Sequence, residues 1–281
     1  MNSVNKYFSI TILLFILNTN NLAQDHFENQ FNLGKKLFDE EKYFDAVTEF
    51  KRLLFFDTEI EYSYEANRYL GFSYKNGGLF SDALHYFTLA ELNAKTTDEI
   101  FNCRIEIVKV NILRRTTDAA FRQLEMLEQD PNYESKKTEI NYWKGWAYIF
   151  ADDWENAARI FATLEEQDEL KLLSEKTFDE LYSVSLAKAL SYLIPGAGQI
   201  YTGEYVNGLI SLGWNLLWGY LTIDAFIEDR IFDGVVVGSL LWMRFYLGGV
   251  ENAEKFARQK NLEITNETLR YLQTEYKGPK P

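Results

Sequence analysis

A chain of 281 residues with 47% hydrophobic and 25% charged side chains has enough apolar mass for one large domain or two ordinary ones, which excludes wholesale disorder. The net charge of −13 is unevenly placed: residues 24 to 180 hold 32 Asp/Glu against 19 Lys/Arg, and the remainder balances. An acidic region repels phosphates, so no nucleic-acid partner is expected. The single cysteine, Cys103, excludes an internal disulfide and a zinc site built on thiolates. Two histidines, His26 and His85, leave little for acid–base or metal chemistry, and no catalytic residue, metal or cofactor is expected.

Residues 1–23 read as a signal peptide, with Lys6 ahead of the apolar run FSITILLFIL at 8–17 and a polar stretch ending in Leu-Ala-Gln. As a helix that run would rise about 15 Å, half the hydrocarbon thickness of a bilayer, so a cleaved leader fits better than a permanent span. Cleavage after Ala23 places Asn21 where a small residue is preferred. No cysteine follows the run, which excludes a lipoprotein anchor. The region after it is expected in the periplasm of a bacterium.

Residues 24–172 repeat with a period of 37, carried by Ala46, Ala83, Ala120 and Ala157 and, four residues later, by Phe50, Phe87, Leu124 and Phe161. Twelve residues before each alanine stand Gly34, Gly71, Val108 and Gly145. A small residue that lets one helix approach, with an aromatic filling the gap, implies a pair of antiparallel helices per copy. The pattern resembles tetratricopeptide repeats, matched most fully by Leu70, Gly71, Tyr74, Ala83, Phe87 and Ala90 and covering residues 27 to about 168. It departs from that family in length, 37 residues rather than about 34, in lacking most terminal prolines, and in a third copy that keeps little beyond Ala120 and Leu124. The resemblance implies a concave groove that binds a peptide or helix. Position by position it points to Phe31, Lys35, Arg68, Phe72, Lys109, Tyr142 and Trp146. The other reading of the aromatics among them is packing between repeats.

Residues 173–262 read as a membrane domain. LYSVSLAKALSYLI (181–194) is an apolar helix candidate that Pro195-Gly196 stops. YVNGLISLGWNLLWGYLTIDAF (205–226) carries one charge, Asp224, and as a helix would rise about 33 Å, enough to cross a bilayer. GVVVGSLLWMRFYLGGV (234–250) is a shorter span with Arg244, which antiparallel pairing places near the depth of Asn215. Two crossings are expected, or three if 181–201 also spans: the basic residues Lys255, Arg258 and Lys260 favour three by the positive-inside rule, and Lys188 and the break at Pro195 favour two. Gly234 and Gly238, followed by Gly249 and Ala253, supply small residues at helix-packing spacing.

The turn Pro195, Gly196, Gly198, Gln199, Tyr201 and Gly203 resembles the P-G-x-G-Q-x-Y-x-G signature of bacterial domains with paired transmembrane helices, over residues 185 to 261. That resemblance implies topology and little biochemistry. A nucleotide loop is excluded, because the glycines are spaced G-x-G-x-x-x-x-G, no strand precedes them and no Lys-Ser/Thr follows. Residues 263–281 read as a polar tail.

The expectation is an all-α chain, a helical-repeat solenoid followed by a transmembrane helical hairpin, acting without catalysis as a scaffold at a bacterial inner membrane with its repeats in the periplasm. Its partners would be a protein or peptide, other membrane proteins included, and the bilayer, with no nucleotide. The alternative is a component of a membrane transport or membrane-enzyme assembly with the repeats as a regulatory module. Only Asp224 and Arg244 are ionisable in the spans, which is thin for a proton relay.

Overall fold

The turns between helices carry the repeat as plainly as the side chains do. The computed structural model describes residues 26–57, 61–165 and 168–281; the proposed signal peptide lies outside them. Among the described residues the secondary structure is helical, with no strand. The chain divides into two units, one running to Asp168 and including Pro279–Pro281, the other Glu169–Gly278.

In the first unit α1 (26–39) is followed by α2 (Tyr43–Phe56), α3 (Ser63–Asn76), α4 (Phe80–Leu92), α5 (Thr97–Leu113), α6 (Thr117–Gln129), a 3-10 turn (Pro131–Lys136), α7 (Lys137–Phe150) and α8 (Trp154–Phe161). The first helix of each pair ends at 39, 76, 113 and 150, and the second begins at 43, 80, 117 and 154. Between them sit Glu41, Gly78, Arg115 and Asp152, with φ of 60°, 74°, 56° and 58°. A left-handed residue lets so short a link reverse a helix. Outside glycine it costs about 1 kcal/mol, so the packing of each pair must offset that strain. The third copy, which keeps few of the repeat's side chains, has the same link bounds and the same turn, although α5 begins three residues earlier than the period would place it.

Side-chain packing explains the pairing. Ala46, Ala83, Ala120 and Ala157 are fully buried where the second helix meets its neighbours. A Cβ added at Gly34, Gly71 or Gly145 would lie 2.8, 2.6 or 2.5 Å from the ring of Phe50, Phe87 or Phe161, so each glycine makes room for one buried phenylalanine. Burying such a ring contributes about 2 kcal/mol. In the third copy both members differ: Val108 and Leu124 stand in their places, and both are fully buried. The start of α5 is fixed by a reciprocal cap, in which Thr96 Oγ1 accepts the Glu99 N–H at 3.2 Å and the Glu99 carboxylate accepts the Thr96 N–H at 3.0 Å.

The second unit is taken up by the rest of α9 (Asp168–Glu180), then α10 (Val184–Leu193), α11 (Ala197–Tyr201), α12 (Tyr205–Ile227), α13 (Ile231–Val236), a π-helical segment (Val237–Trp242) and α14 (Met243–Thr274). The last three form one continuous helix, Ile231–Thr274. It runs antiparallel to α12: Gly234 faces the Phe226 ring, Gly238 faces Thr222, Gly219 faces Trp242, and Gly249 faces Ser211. Trp214 and Trp218 both stack on Phe245, at 5.5 and 6.2 Å between centroids.

Among the described residues Ile231–Thr274 is the one helix long and apolar enough to cross a membrane, where the sequence reading expects two or three crossings. The 23-residue α12 has the length, but Asn207, Ser211, Asn215, Thr222 and Asp224 lower its apolarity. Within the polar tail, residues 263–274 are helical. They extend α14, burying Thr265, Thr268 and Leu272, and the Thr268 hydroxyl lies 2.9 Å from that of Thr177.

Candidate functional site

In the first unit two adjoining cavities define a continuous surface. The larger, about 1000 Å³, is lined by Lys109, Lys136, Glu139, Tyr142, Trp143 and Pro279 among others. The smaller, about 280 Å³, is lined by Arg68, Phe72, Cys103, Glu106, Lys109 and Glu139 among others. Lys109 and Glu139 belong to both. Four of the seven predicted groove residues, Arg68, Phe72, Lys109 and Tyr142, are therefore brought together.

The other three are set apart. Phe31 packs among Phe50, Tyr62 and Tyr69, with centroids 5.8, 5.5 and 5.7 Å away, and Trp146 is 2% exposed; both serve helix packing. Lys35 is exposed and lines neither cavity.

Within the larger cavity the Tyr142 hydroxyl donates to the backbone carbonyl of Pro279. Residues 279–281 have no regular secondary structure and belong to this unit, so the groove holds a short stretch of its own chain. The Lys109 ammonium lies 4.4 Å from the centroid of Trp143. The Arg68 guanidinium lies 5.7 Å from the Phe72 centroid and 3.3 Å from a Glu65 carboxylate oxygen. Burial pushes the Cys103 thiol up to about 12, so it is a protonated, inert wall residue at neutral pH. Trp143 and Glu106 escape the sequence reading. Trp143 stands beside Tyr142 and one helical turn from Glu139; Glu106 is one helical turn from Lys109, which is its local signal, while its second partner, Lys75, is 31 residues away.

In the second unit the Pro-Gly turn is a junction of three helices. Gly196 has φ of 94°, and a Cβ there would lie 2.2 Å from the Gly208 carbonyl oxygen, so the turn lies directly against the first residues of α12. The Gly198 N–H donates to Ser191 Oγ at 3.0 Å, which donates to Gln199 Oε1 at 3.0 Å, and Gln199 Nε2 donates to the Gly249 carbonyl at 2.7 Å. Gln199 is 1% exposed, so its amide ties α10, α11 and α14 through fully satisfied bonds. The Tyr201 hydroxyl accepts the Ser183 N–H at 3.0 Å, and Gly203, at φ 81°, closes α11. Ala253 is buried against Gly198. The motif residues thus hold the unit together, and Gly208 and Ser191 join them.

The chain matches no family model, no curated protein and no solved structure. Its chemistry is therefore argued from its own side chains.

The most constrained charges in the groove are those of Glu106, which accepts from Lys75 at 2.9 Å and from Lys109 at 2.5 Å, with all three side chains 12–16% exposed. Burial pushes the Glu106 carboxyl up, but the Lys75 and Lys109 ammonium groups outweigh it and hold the carboxyl below its ordinary value. Burial also lowers Lys75, against the pull of Glu106. A depressed carboxylate contributes stability above its unfolded pKa of about 4.3 and loses it as pH falls through the lower folded value. Glu106→Gln, which strands two lysines, is expected to cost about 2 kcal/mol at pH 7. In thermal unfolding of the full chain that gap should close below about pH 4; a gap independent of pH would contradict the assignment.

Proposed function

We propose that the protein is a membrane-anchored, tetratricopeptide-like scaffold of a bacterial inner membrane, whose repeat unit stands in the periplasm and holds a peptide segment of a partner in the groove at Tyr142. The observation that carries this reading is the bond from the Tyr142 hydroxyl to the Pro279 carbonyl. A backbone carbonyl is the acceptor that every peptide offers, and proline supplies a stiff, low-entropy backbone at little ordering cost. Trp143 gives an apolar wall for a proline-containing segment, with Lys109, Lys136, Glu139 and Glu165 beside it.

Anchoring is supported by the outer faces of α12 and of the 231–274 helix. Leu209, Leu216, Ile223, Phe232, Val235 and Leu240 are all exposed, an arrangement costly in water and neutral in lipid. The apolar stretch 231–250 rises about 30 Å as a helix, the thickness of a hydrocarbon core. With α12 packed antiparallel beside it, the pair forms the anchor, and Ser211 and Thr222 of α12 turn toward Gly249 and Gly238 of its partner.

The test uses the full chain in detergent micelles and a fluorescent peptide, TEYKGPKP, copied from residues 274–281, read by anisotropy. A chain ending at Gly278 is expected to bind the peptide, and the intact chain to bind it more weakly because its own segment competes. Tyr142→Phe in the shortened chain should weaken binding by about fivefold, the worth of one hydrogen bond. No binding by the shortened chain would remove the groove from the proposal.

A further inference from the structure

We propose that the second unit binds a phosphate ester at a cavity beside Arg244, through the phosphate and through a hydroxyl or ammonium group on the same ligand. The cavity, about 310 Å³, lies between α12 and α14 and is lined by Asn207, Ser211, Trp214, Asn215, Arg244 and Asn252 among others. Three independent features converge there.

The first is charge. Arg244 is the single cation of residues 231–250, and no lining residue is a carboxylate. Lys188, Arg230 and Arg258 of the same unit each hold a carboxylate within 3.1 Å. Arg244 has no ion pair or hydrogen bond among the described residues. Its planar fork of donors matches two oxygens of a phosphate.

The second is an unmet acceptor. Asn215 is 5% exposed; its amide nitrogen donates to the Ser211 carbonyl at 2.8 Å, while Oδ1 has no partner. The buried Ser211 Oγ is also without one. Buried polar atoms are almost always satisfied, so this pair calls for a donor from a ligand. A bare phosphate brings oxygens for Arg244 but serves Asn215 poorly. A phosphate ester with a hydroxyl or amine serves both.

The third is the apolar wall. Trp214 and Phe245 line the cavity beside the polar groups, their rings stacked 13° apart in plane, with Trp218 stacked behind them. Such a face suits the carbon skeleton of the ester. Two sources carry this chemistry: a glycerophospholipid headgroup, or a soluble phosphate ester such as a glycerol phosphate. The lipid source rests on the anchor reading above; the cavity and its chemistry do not.

The experiment titrates the full chain, purified in maltoside micelles, with glycerol 3-phosphate, with dioctanoyl phosphatidylglycerol and with phosphate-free dioctanoylglycerol, following tryptophan fluorescence. A saturable change is expected with at least one of the phosphate compounds and none with dioctanoylglycerol. Arg244→Gln should weaken binding about tenfold or more, with Arg244→Lys recovering part of the loss. Asn215→Leu should weaken it about fivefold, and Arg258→Gln, away from the cavity, should stay within about twofold. Melting curves confirm that each variant is folded. Binding of glycerol 3-phosphate as tight as that of the lipid assigns a soluble ester, and binding of the lipid alone assigns a headgroup. Saturation by neither, or an undiminished response in both folded Arg244 variants, overturns the proposal. Flotation with vesicles is scored beside it: a chain that floats yet binds neither compound loses this site and keeps its anchor. A chain that does not float yet binds glycerol 3-phosphate keeps the site and loses the anchor.

Discussion

Gly71→Val is expected to lower the stability of the full chain by about 3 kcal/mol in thermal unfolding, and Phe87→Leu in the same chain to recover about half of that. A Cβ on Gly71 would lie 2.6 Å from two atoms of the Phe87 ring. The ring is fully buried and meets Phe72 edge-on at 5.1 Å, so it has no free volume to swing into. Copy three holds the compensated arrangement, with Val108 and Leu124 at the equivalent places. The same logic runs in reverse there. Val108→Gly should open a void costing about 2 kcal/mol, and Leu124→Phe should fill it. The decisive quantity is the coupling in each double-mutant cycle. If the two costs merely add, the glycine and the aromatic are independent, and the period of 37 has no packing origin.

That pair also marks what could be read from residues alone. The repeat was legible because close approach and gap filling demand a small and a large side chain at fixed spacing, and both types recur through the chain. The left-handed turn was not, because only Gly78 advertises it; Glu41, Arg115 and Asp152 adopt the same φ under the constraint of the helices they join. In the groove, Arg68, Phe72, Lys109 and Tyr142 are positions the tetratricopeptide resemblance points to, whereas Glu106 pairs with Lys109 of its own helix and with Lys75 of the preceding copy. Phe31 and Trp146 had the same helical positions and were spent on packing, a choice that depends on neighbours and not on spacing. In the second unit the Pro-Gly stop was legible from two residues. The reach of Gln199 to Gly249, across 50 residues, was not. Long-range partners leave no periodic trace, so the motif showed where the chain turns and hid what the turn holds.

One methyl group at Gly198 tests that hidden role most sharply. Gly198→Ala is expected to cost about 4 kcal/mol, seen as loss of the monodisperse peak in detergent and a lowered melting temperature. The added Cβ would lie 2.0 Å from the Ala187 carbonyl oxygen, 2.5 Å from Ser191 Oγ and 2.8 Å from the Ala253 Cβ. The first of these is backbone and cannot rotate away, so α10 or α11 must shift as a body. Any such shift lengthens the bonds from Gly198 to Ser191 and from Ser191 to Gln199, stranding a buried amide that water cannot reach. Gly213→Ala supplies the control: it lies inside α12, its Cβ would meet nothing within 4 Å, and the change should stabilise the helix by about 0.5 kcal/mol. The two variants add the same atom to the same kind of residue in one unit. Equal behaviour would mean that the junction yields to a methyl; a wide gap would mean that contact at Gly198 sets how closely these helices pack.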